Sequence, residues 1–461
     1  MTPVLLAALR AAVGDAHVRT DEATLVEASV DGLKKFGHRP DAVVTPGSVE
    51  EVAAVLRACD AARVPVVPRG AGTGYSGGAI PAMGGIVLSM ARFDRILEID
   101  EANLLAIVEP NVLTGALQAA VEARGLFYPP DPASLDTCAL GGNLAECAGG
   151  PRAFKYGTTR RYALGLEAVL PTGEVVHTGG KTVKRVVGYD LTQLIVGSEG
   201  TLAVITRATL RLMAKPAAHL TLRVAFPEIA AAAGAVTRLV HERVIPAALE
   251  LIDAESLAAV ARHVGDHALA PPATQALLLI DLDGEAGALD DEADRVERAC
   301  RAFGATALDR AADGPRRDQL WRVRRELSPA LKQIATCKLN NDVVVPRARI
   351  PELFEAIARL RAESGLPIPA FGHAGDGNIH VNILVPDPSD AAALARAHAA
   401  ERALFAAVRA LEGSLSGEHG IGLTKRPFLG MELDDVEIAL MRRVKQAFDP
   451  HGILNPGKIF P

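Results

Sequence analysis

Aromatic residues make up only 4% of this 461-residue chain, and its 49% hydrophobic content leans instead on alanine. No apolar run approaches the roughly 20 residues that a membrane-crossing helix needs, so a transmembrane span is excluded. Basic excess is missing too: the formal charge is -6, with both signs mixed along the chain. That leaves no electrostatic footprint for nucleic acid and favours a small molecule as partner. The five cysteines, at 59, 138, 147, 300 and 337, form no CxxC pair and supply no ligand set for an iron-sulfur cluster. They read as reduced thiols of a cytoplasmic protein, and any redox chemistry needs another carrier. The opening "MTPVLLAALRAAVG" lacks a basic flank and continues as an amphipathic helix, which is structure rather than a signal peptide.

What is present is an α+β chain long enough for two or three domains. Residues 1–215 alternate short strands, glycine-rich loops and a few helices. Ser48 and Glu51 are spaced as a capping box ahead of a helical run, and "GLEAVLPTGEVVHTGG" predicts a hairpin turning at Thr172 and Gly173. After Lys215 and Pro216 the strands and helices lengthen, predicting a second domain over 216–425 built on an antiparallel sheet with helices on one face. A tail, 426–461, holds one more amphipathic helix.

Residues 68–78, "PRGAGTGYSGG", carry five glycines and a G-x-G-x-x-G at Gly72, Gly74 and Gly77. A dinucleotide loop of that spelling must run into a helix whose N-terminus meets the pyrophosphate. Here Pro81, Gly84 and Gly85 follow and then an apolar strand, so the match to that fold is false. Strand, glycine loop and strand still surround a concavity with backbone N–H groups, which suits phosphate. A second cluster places Gly141, Gly142, Gly149 and Gly150 among small residues, and "GYDLTQLIVGSEGTLAVIT" adds a third.

Three such segments in this order resemble the FAD-binding domain of the vanillyl-alcohol oxidase and p-cresol methylhydroxylase (PCMH) superfamily. The branch closest in pattern holds D-lactate dehydrogenase, D-2-hydroxyglutarate dehydrogenase and the flavin subunit of glycolate oxidase. The resemblance implies a two-subdomain PCMH-type domain over 1–215, a substrate domain over 216–425, and a C-terminal segment returning to the flavin. It implies that Arg69, Gly70, Ala71, Gly72, Thr73, Gly74 and Gly78 cradle the pyrophosphate. Pro130, Ser134, Gly141, Gly142, Gly150, Glu199, Gly200, Ile205 and Asn455 are implied to line the cofactor. Cys147 stands where many relatives carry asparagine, and no histidine lies between 39 and 176 to tether the flavin, so FAD is expected to be non-covalent.

In "FGHAGDGNIHVNIL", a two-residue hairpin centred on Asp376 and Gly377 would set His373 directly opposite His380, close enough for both imidazoles to reach one metal, with Asn382 on the same face. "SGEHGIG" offers a third ligand, and in an extended segment Glu418 and His419 would point apart, so one binds and the other does not. The resemblance assigns Glu418 to the metal and His419 to proton abstraction beside the flavin. Two histidines and a carboxylate suit Zn²⁺ or Mn²⁺ as a Lewis acid. The resemblance also places Arg324, Ser328 and Lys338 on the substrate carboxylate, although the Ser328–Lys338 interval is one residue short of the pattern. Arg322 and Arg325 read as solvated helix charges.

The expected reaction is hydride transfer from Cα of a D-2-hydroxy acid to flavin N5, giving the 2-oxo acid. The reduced flavin is expected to pass its electrons to an external quinone, cytochrome or electron-transfer flavoprotein. A homodimer and a peripheral membrane location are compatible with this reading. Rival readings are a metal-dependent hydrolase, a flavin-bearing subunit of a multi-subunit glycolate oxidase, and a non-redox relative of the alkylglycerone-phosphate synthase type.

Overall fold

The computed structural model of the protein describes residues 1–34, 36–269, 271 and 273–461. The chain divides into two compact units. One comprises 1–149, 157–215 and 418–461; the other comprises 150–156 and 216–417. The expected limit at 425 therefore falls inside the first unit, whose last stretch starts at Glu418.

In the first unit a four-stranded sheet runs in the order Val18–Arg19, Ala42–Val44, Ile86–Ser89, Val66–Arg69, and its last three strands are parallel. The helix Val49–Ala62 starts where Ser48 Oγ accepts the Glu51 N–H at 3.2 Å, while the Glu51 carboxylate reaches back to the Gly47 N–H at 2.6 Å. That reciprocal cap satisfies donors the first turn cannot pair. The helix buries Val52, Val55, Leu56 and Cys59 against Val44, Ile86 and Leu88. A second, antiparallel sheet follows the order Ile96–Asp100, Leu105–Val108, Val204–Arg211, Ala163–Val169, Val175–Gly179. Its last two strands form the predicted hairpin, closed by the Gly173 N–H on the Leu170 carbonyl at 2.8 Å. The tail joins this core: Leu454 bridges Val66 in parallel, and the Asn455 N–H donates to the Val66 carbonyl at 2.7 Å.

The second unit is a seven-stranded antiparallel sheet in the order Ala307–Ala311, Ala218–Phe226, Ala276–Gly284, Ala248–Asp253, Ala370–His373, Asn378–Val385, Cys337–Val344. Helices cover both faces, which corrects the one-face expectation. On one face Leu257 and Val260 of Ala254–Val264, Leu320 and Val323 of Gly314–Arg325 and Leu331 of Leu327–Ile334 pack on Leu277, Leu279, Ile252 and Phe371. Leu222, Val224, Leu278 and Ile280 alternate to the other face and are equally buried, under Ile229–His241 and Ala286–Ala302. A sheet buried on both sides needs apolar residues at nearly every position. That is why "ALLLID" lacks the alternation of a half-buried strand.

Candidate functional site

The glycine loop of the first unit joins the parallel strands Val66–Arg69 and Ile86–Ser89 without an intervening helix, as its sequence predicts. Gly72 has φ +69°, and a Cβ there would also collide with the Arg69 guanidinium folded beneath it. Asp31 anchors the loop from below by accepting the Gly77 N–H at 2.9 Å. Burial pushes the Asp31 carboxyl up and the Arg69 guanidinium down. The first two glycine clusters meet, since a Cβ on Gly70 would lie 3.3 Å from Ala139 Cβ and 3.8 Å from the Gly142 nitrogen. Among the described residues, apart from chain neighbours and, at Gly142, the helix's own backbone, Gly74 and Gly142 have no atom within 4 Å of where a side chain would begin. Bare backbone thus faces open space, which fits a phosphate-bearing cofactor approaching closely. Ala71 is exposed, and Thr73 and Ser134 are half-buried.

Other implied cofactor residues have a structural occupation. A Cβ on Gly141 would strike Pro110, and the Pro130 carbonyl accepts Gln118 Nε2 at 2.9 Å. Ile205 is buried, and Gly200 has φ +66°. The Glu199 carboxylate accepts the Ile421 and Gly422 N–H groups, each at 2.7 Å, fixing the chain just beyond His419. Asn455 Nδ2 donates to the carbonyls of Gly78 at 2.9 Å and Glu199 at 2.8 Å, tying the tail to the first and third clusters. Gly150 belongs to the second unit rather than to the first. Glu146 escaped the sequence reading; burial, then the Glu199 and Asp31 charges, push its carboxyl well above the usual range.

Glu418 and His419 lie in a run of bends, not a strand, and Glu418 Oε1 is 4.0 Å from His419 Nε2. The two neighbours therefore converge instead of pointing apart, because the alternation of a pleated strand is absent. Gly149 leaves room for Glu418, since a Cβ there would come within 2.7 Å of its Oε2. The His419 ring sits 5.4 Å from that of Tyr75.

In the second unit His373 pairs with Asn378, and Phe371 with His380. The connecting loop holds four residues, closed by the Gly377 N–H on the His373 carbonyl at 3.1 Å, with Gly377 at φ +84°. The predicted two-residue turn and direct His373–His380 opposition are thus corrected. A register shifted by two residues keeps the face, so the imidazoles become diagonal neighbours with ring centroids 5.3 Å apart.

Directly across from His373, in the neighbouring strand, stands Glu250. Its carboxylate is fully buried; Oε1 meets His373 Nδ1, and Oε2 accepts Arg324 Nε at 2.5 Å. The Arg324 guanidinium also lies over the Phe371 ring, 4.9 Å from its centroid. Burial alone would push the Glu250 carboxyl up, but the His373 and Arg324 charges outweigh it and hold the group well below the usual carboxylate range. With Nδ1 committed to Glu250, Nε2 is the nitrogen by which His373 would ligate a metal, the usual arrangement for a ligating imidazole.

Lys338, Asn340 and Asp342 share this face, paired with Leu384, Asn382 and His380. Burial, with Lys332 adding, pulls the Lys338 amine down to about 8. Asn340 Nδ2 donates to Asn382 Oδ1 at 2.8 Å. Asp342 accepts Asn378 Nδ2 at 2.6 Å and the Gly417 N–H at 3.0 Å, pinning the backbone just before Glu418. Ser328 is half-buried one helix turn beyond Arg324, while Arg322 and Arg325 are exposed. Glu250 and Asp342 carried no sequence signal; a carboxylate in a strand with no exposed position is the only feature that could have marked them.

Residues 40–179 match the FAD binding domain family, and residues 215–459 match FAD linked oxidases, C-terminal domain. The glycolate oxidase subunit GlcD of Bacillus subtilis (strain 168) is 40% identical over 434 residues, covering 94% of this chain and 91% of its own. The D-lactate dehydrogenase of Anaerostipes hadrus is 36% identical over 428 residues, covering 91% of this chain and 90% of its own. Among solved structures, p-cresol methylhydroxylase with substrate bound superposes with a TM-score of 0.81 at 19% identity, over 99% of this chain and 96% of the other. The fold is therefore the PCMH-type FAD-binding fold implied by the sequence resemblance.

Proposed function

Because the chain belongs to the family of FAD-linked oxidases, we propose that it oxidises a D-2-hydroxy acid of the glycolate or D-lactate kind to the 2-oxo acid, with a divalent cation as second cofactor. At the coarser level it is an FAD-linked oxidoreductase acting on hydroxy acids. The observation that carries the finer reading is the Glu250 carboxylate, which joins one of two neighbouring imidazoles to a guanidinium on one sheet face. A metal handle beside an anion handle suits a substrate that offers a hydroxyl next to a carboxylate.

When bound, FAD supplies a hydride acceptor and Zn²⁺ or Mn²⁺ a Lewis acid for the hydroxyl. His373, His380 and Glu418 are the proposed ligands. Arg324, Ser328 and Lys338 hold the substrate carboxylate, Arg324 by charge-assisted hydrogen bonds. His419 takes the hydroxyl proton on an imidazole nitrogen. Arg69, Gly70, Ala71, Gly72, Thr73, Gly74 and Gly78 hold the pyrophosphate. An external acceptor, a quinone, cytochrome or electron-transfer flavoprotein, reoxidises the enzyme. Among the described residues no helix is long and apolar enough to cross a membrane.

Anaerobic titration of the purified yellow protein with glycolate, D-lactate, L-lactate and D-2-hydroxyglutarate tests the reading. Bleaching by a D-2-hydroxy acid or glycolate is expected; a flavin that none of them bleaches overturns it. Chelation should abolish bleaching while leaving the bound-FAD spectrum in place, and Zn²⁺ or Mn²⁺ should restore it. A second reading, favoured by the similarity to a protein named as a glycolate oxidase subunit, is a flavin-bearing subunit that turns over only with partners. Turnover of the isolated chain with an artificial dye would reject that alternative.

A further inference from the structure

We propose that Glu250 is a positioning residue that aligns the metal-ligating imidazole and the substrate-holding guanidinium with its two carboxylate oxygens, so that metal affinity and substrate affinity depend on one side chain. The inference rests on the functional reading above.

Glu250 lies in a strand, Ala248–Asp253, whose every residue is buried. In register with it on one side is Leu279, and Ile252 follows it on the same face. A carboxylate among such neighbours is costly unless hydrogen-bonded donors surround it. Its two partners are His373, directly opposite, and Arg324, which reaches across from the end of the helix Gly314–Arg325.

Each contact removes one freedom from the partner. An ionised carboxylate only accepts, so His373 carries a proton on Nδ1, and when the ring is neutral its lone pair is on Nε2. For Arg324, Nε is engaged by Glu250 and the guanidinium lies over the Phe371 ring. The two terminal nitrogens are then left to present a planar fork to a carboxylate. One buried group thereby holds both side chains in a fixed relation.

Glu250→Gln tests this because an amide cannot accept from both partners. If its oxygen faces Arg324, its NH₂ faces His373 Nδ1 and drives the proton to Nε2, where it blocks ligation. If the amide turns round, the NH₂ meets Arg324 Nε and the guanidinium is displaced.

FAD-loaded, metal-stripped protein should be titrated calorimetrically with Zn²⁺ and with Mn²⁺, followed by KM and kcat for the acid that bleaches the flavin. Glu250→Gln is expected to keep its FAD and, according to which partner keeps the amide oxygen, either to bind metal about 10- to 100-fold more weakly or to show a raised KM at saturating metal. A folded, yellow Glu250→Gln that keeps both its metal affinity and its KM overturns the inference. Should that variant fail to fold, Glu250→Asp replaces it; this variant keeps the charge but is a methylene too short to reach both partners, and the same two readouts decide. A parent protein that takes up neither metal sinks the functional reading together with this inference. A metal-binding parent with an indifferent variant sinks this inference alone.

Discussion

At Gly74 and Gly142 the first unit presents bare backbone to open space, whereas at Glu250 the second unit commits a fully buried carboxylate to holding two other side chains. The first surface works by the absence of atoms, the second by the placement of a few. A surface of the first kind fails when something is added to it, and one of the second kind fails when something is taken away.

Adding a side chain should therefore produce the largest effect. Gly72→Leu combines a left-handed φ with a collision against Arg69. It should give folded protein with nearly all its flavin lost, read from the ratio of visible to ultraviolet absorbance. Full flavin content would show that the loop is only a turn.

Next comes His419→Ala. General-base removal slows a proton-transfer step by about 10² to 10⁴. Stopped-flow flavin reduction should fall by that factor with FAD and metal retained, whereas Glu418→Ala should lose metal first. Because the two side chains converge in the structure, the contrast sharpens the division of roles: metal loss from His419→Ala with retention in Glu418→Ala would invert it.

Arg324→Ala leaves the Glu250 charge buried with one partner fewer, a defect that costs roughly 3–5 kcal/mol when a buried pair is broken. Denaturant unfolding should show a loss of that size beside a raised KM, while Arg324→Lys, keeping the charge but not the fork, should be milder in both. Unchanged kinetics in both variants would move the carboxylate site elsewhere.

The smallest effect concerns pH. Lys338 titrates near 8 when folded against 10.5 when exposed. Its protonated form is therefore disfavoured by folding: the destabilisation is complete below about pH 8 and is relieved as pH rises towards the unfolded value. If Lys338 holds the substrate, KM should climb above pH 8 in the parent, and Lys338→Met should lose that climb. A parent KM that is flat from pH 7 to pH 9 would remove Lys338 from the clamp.

Local features of the fold were legible in the sequence, and features that join distant segments were not. Glycine spacing announces the loop at 69–78, and Pro81 with Gly84 and Gly85 already excludes a helix after it, because both signals are local. The His373–His380 face was legible as well, although the register was not: an Asp-Gly pair serves a two-residue or a four-residue loop, and only the placement of Gly377 distinguishes them. Glu418 and His419 were misjudged in direction because adjacency implies divergence only in a strand. Glu250 was invisible for a different reason. Its partner His373 is 123 residues away, and nothing in "ALELIDAES" distinguishes a carboxylate that faces inward from one that faces water.

Ile453, Leu454 and Asn455 complete a sheet edge and core that residues 5–93 form together with Val169 and Val204. On a ribosome, therefore, the strand Val66–Arg69 emerges with its outer edge open and must wait through the whole second unit for its closing neighbour. Closing so long a loop is slow, and an unpaired apolar edge is prone to pairing with other chains meanwhile. Deleting residues 453–461 should thus impair soluble yield far more than so short a cut would suggest, because the edge then stays open and Ile453 and Leu454 are lost from the core.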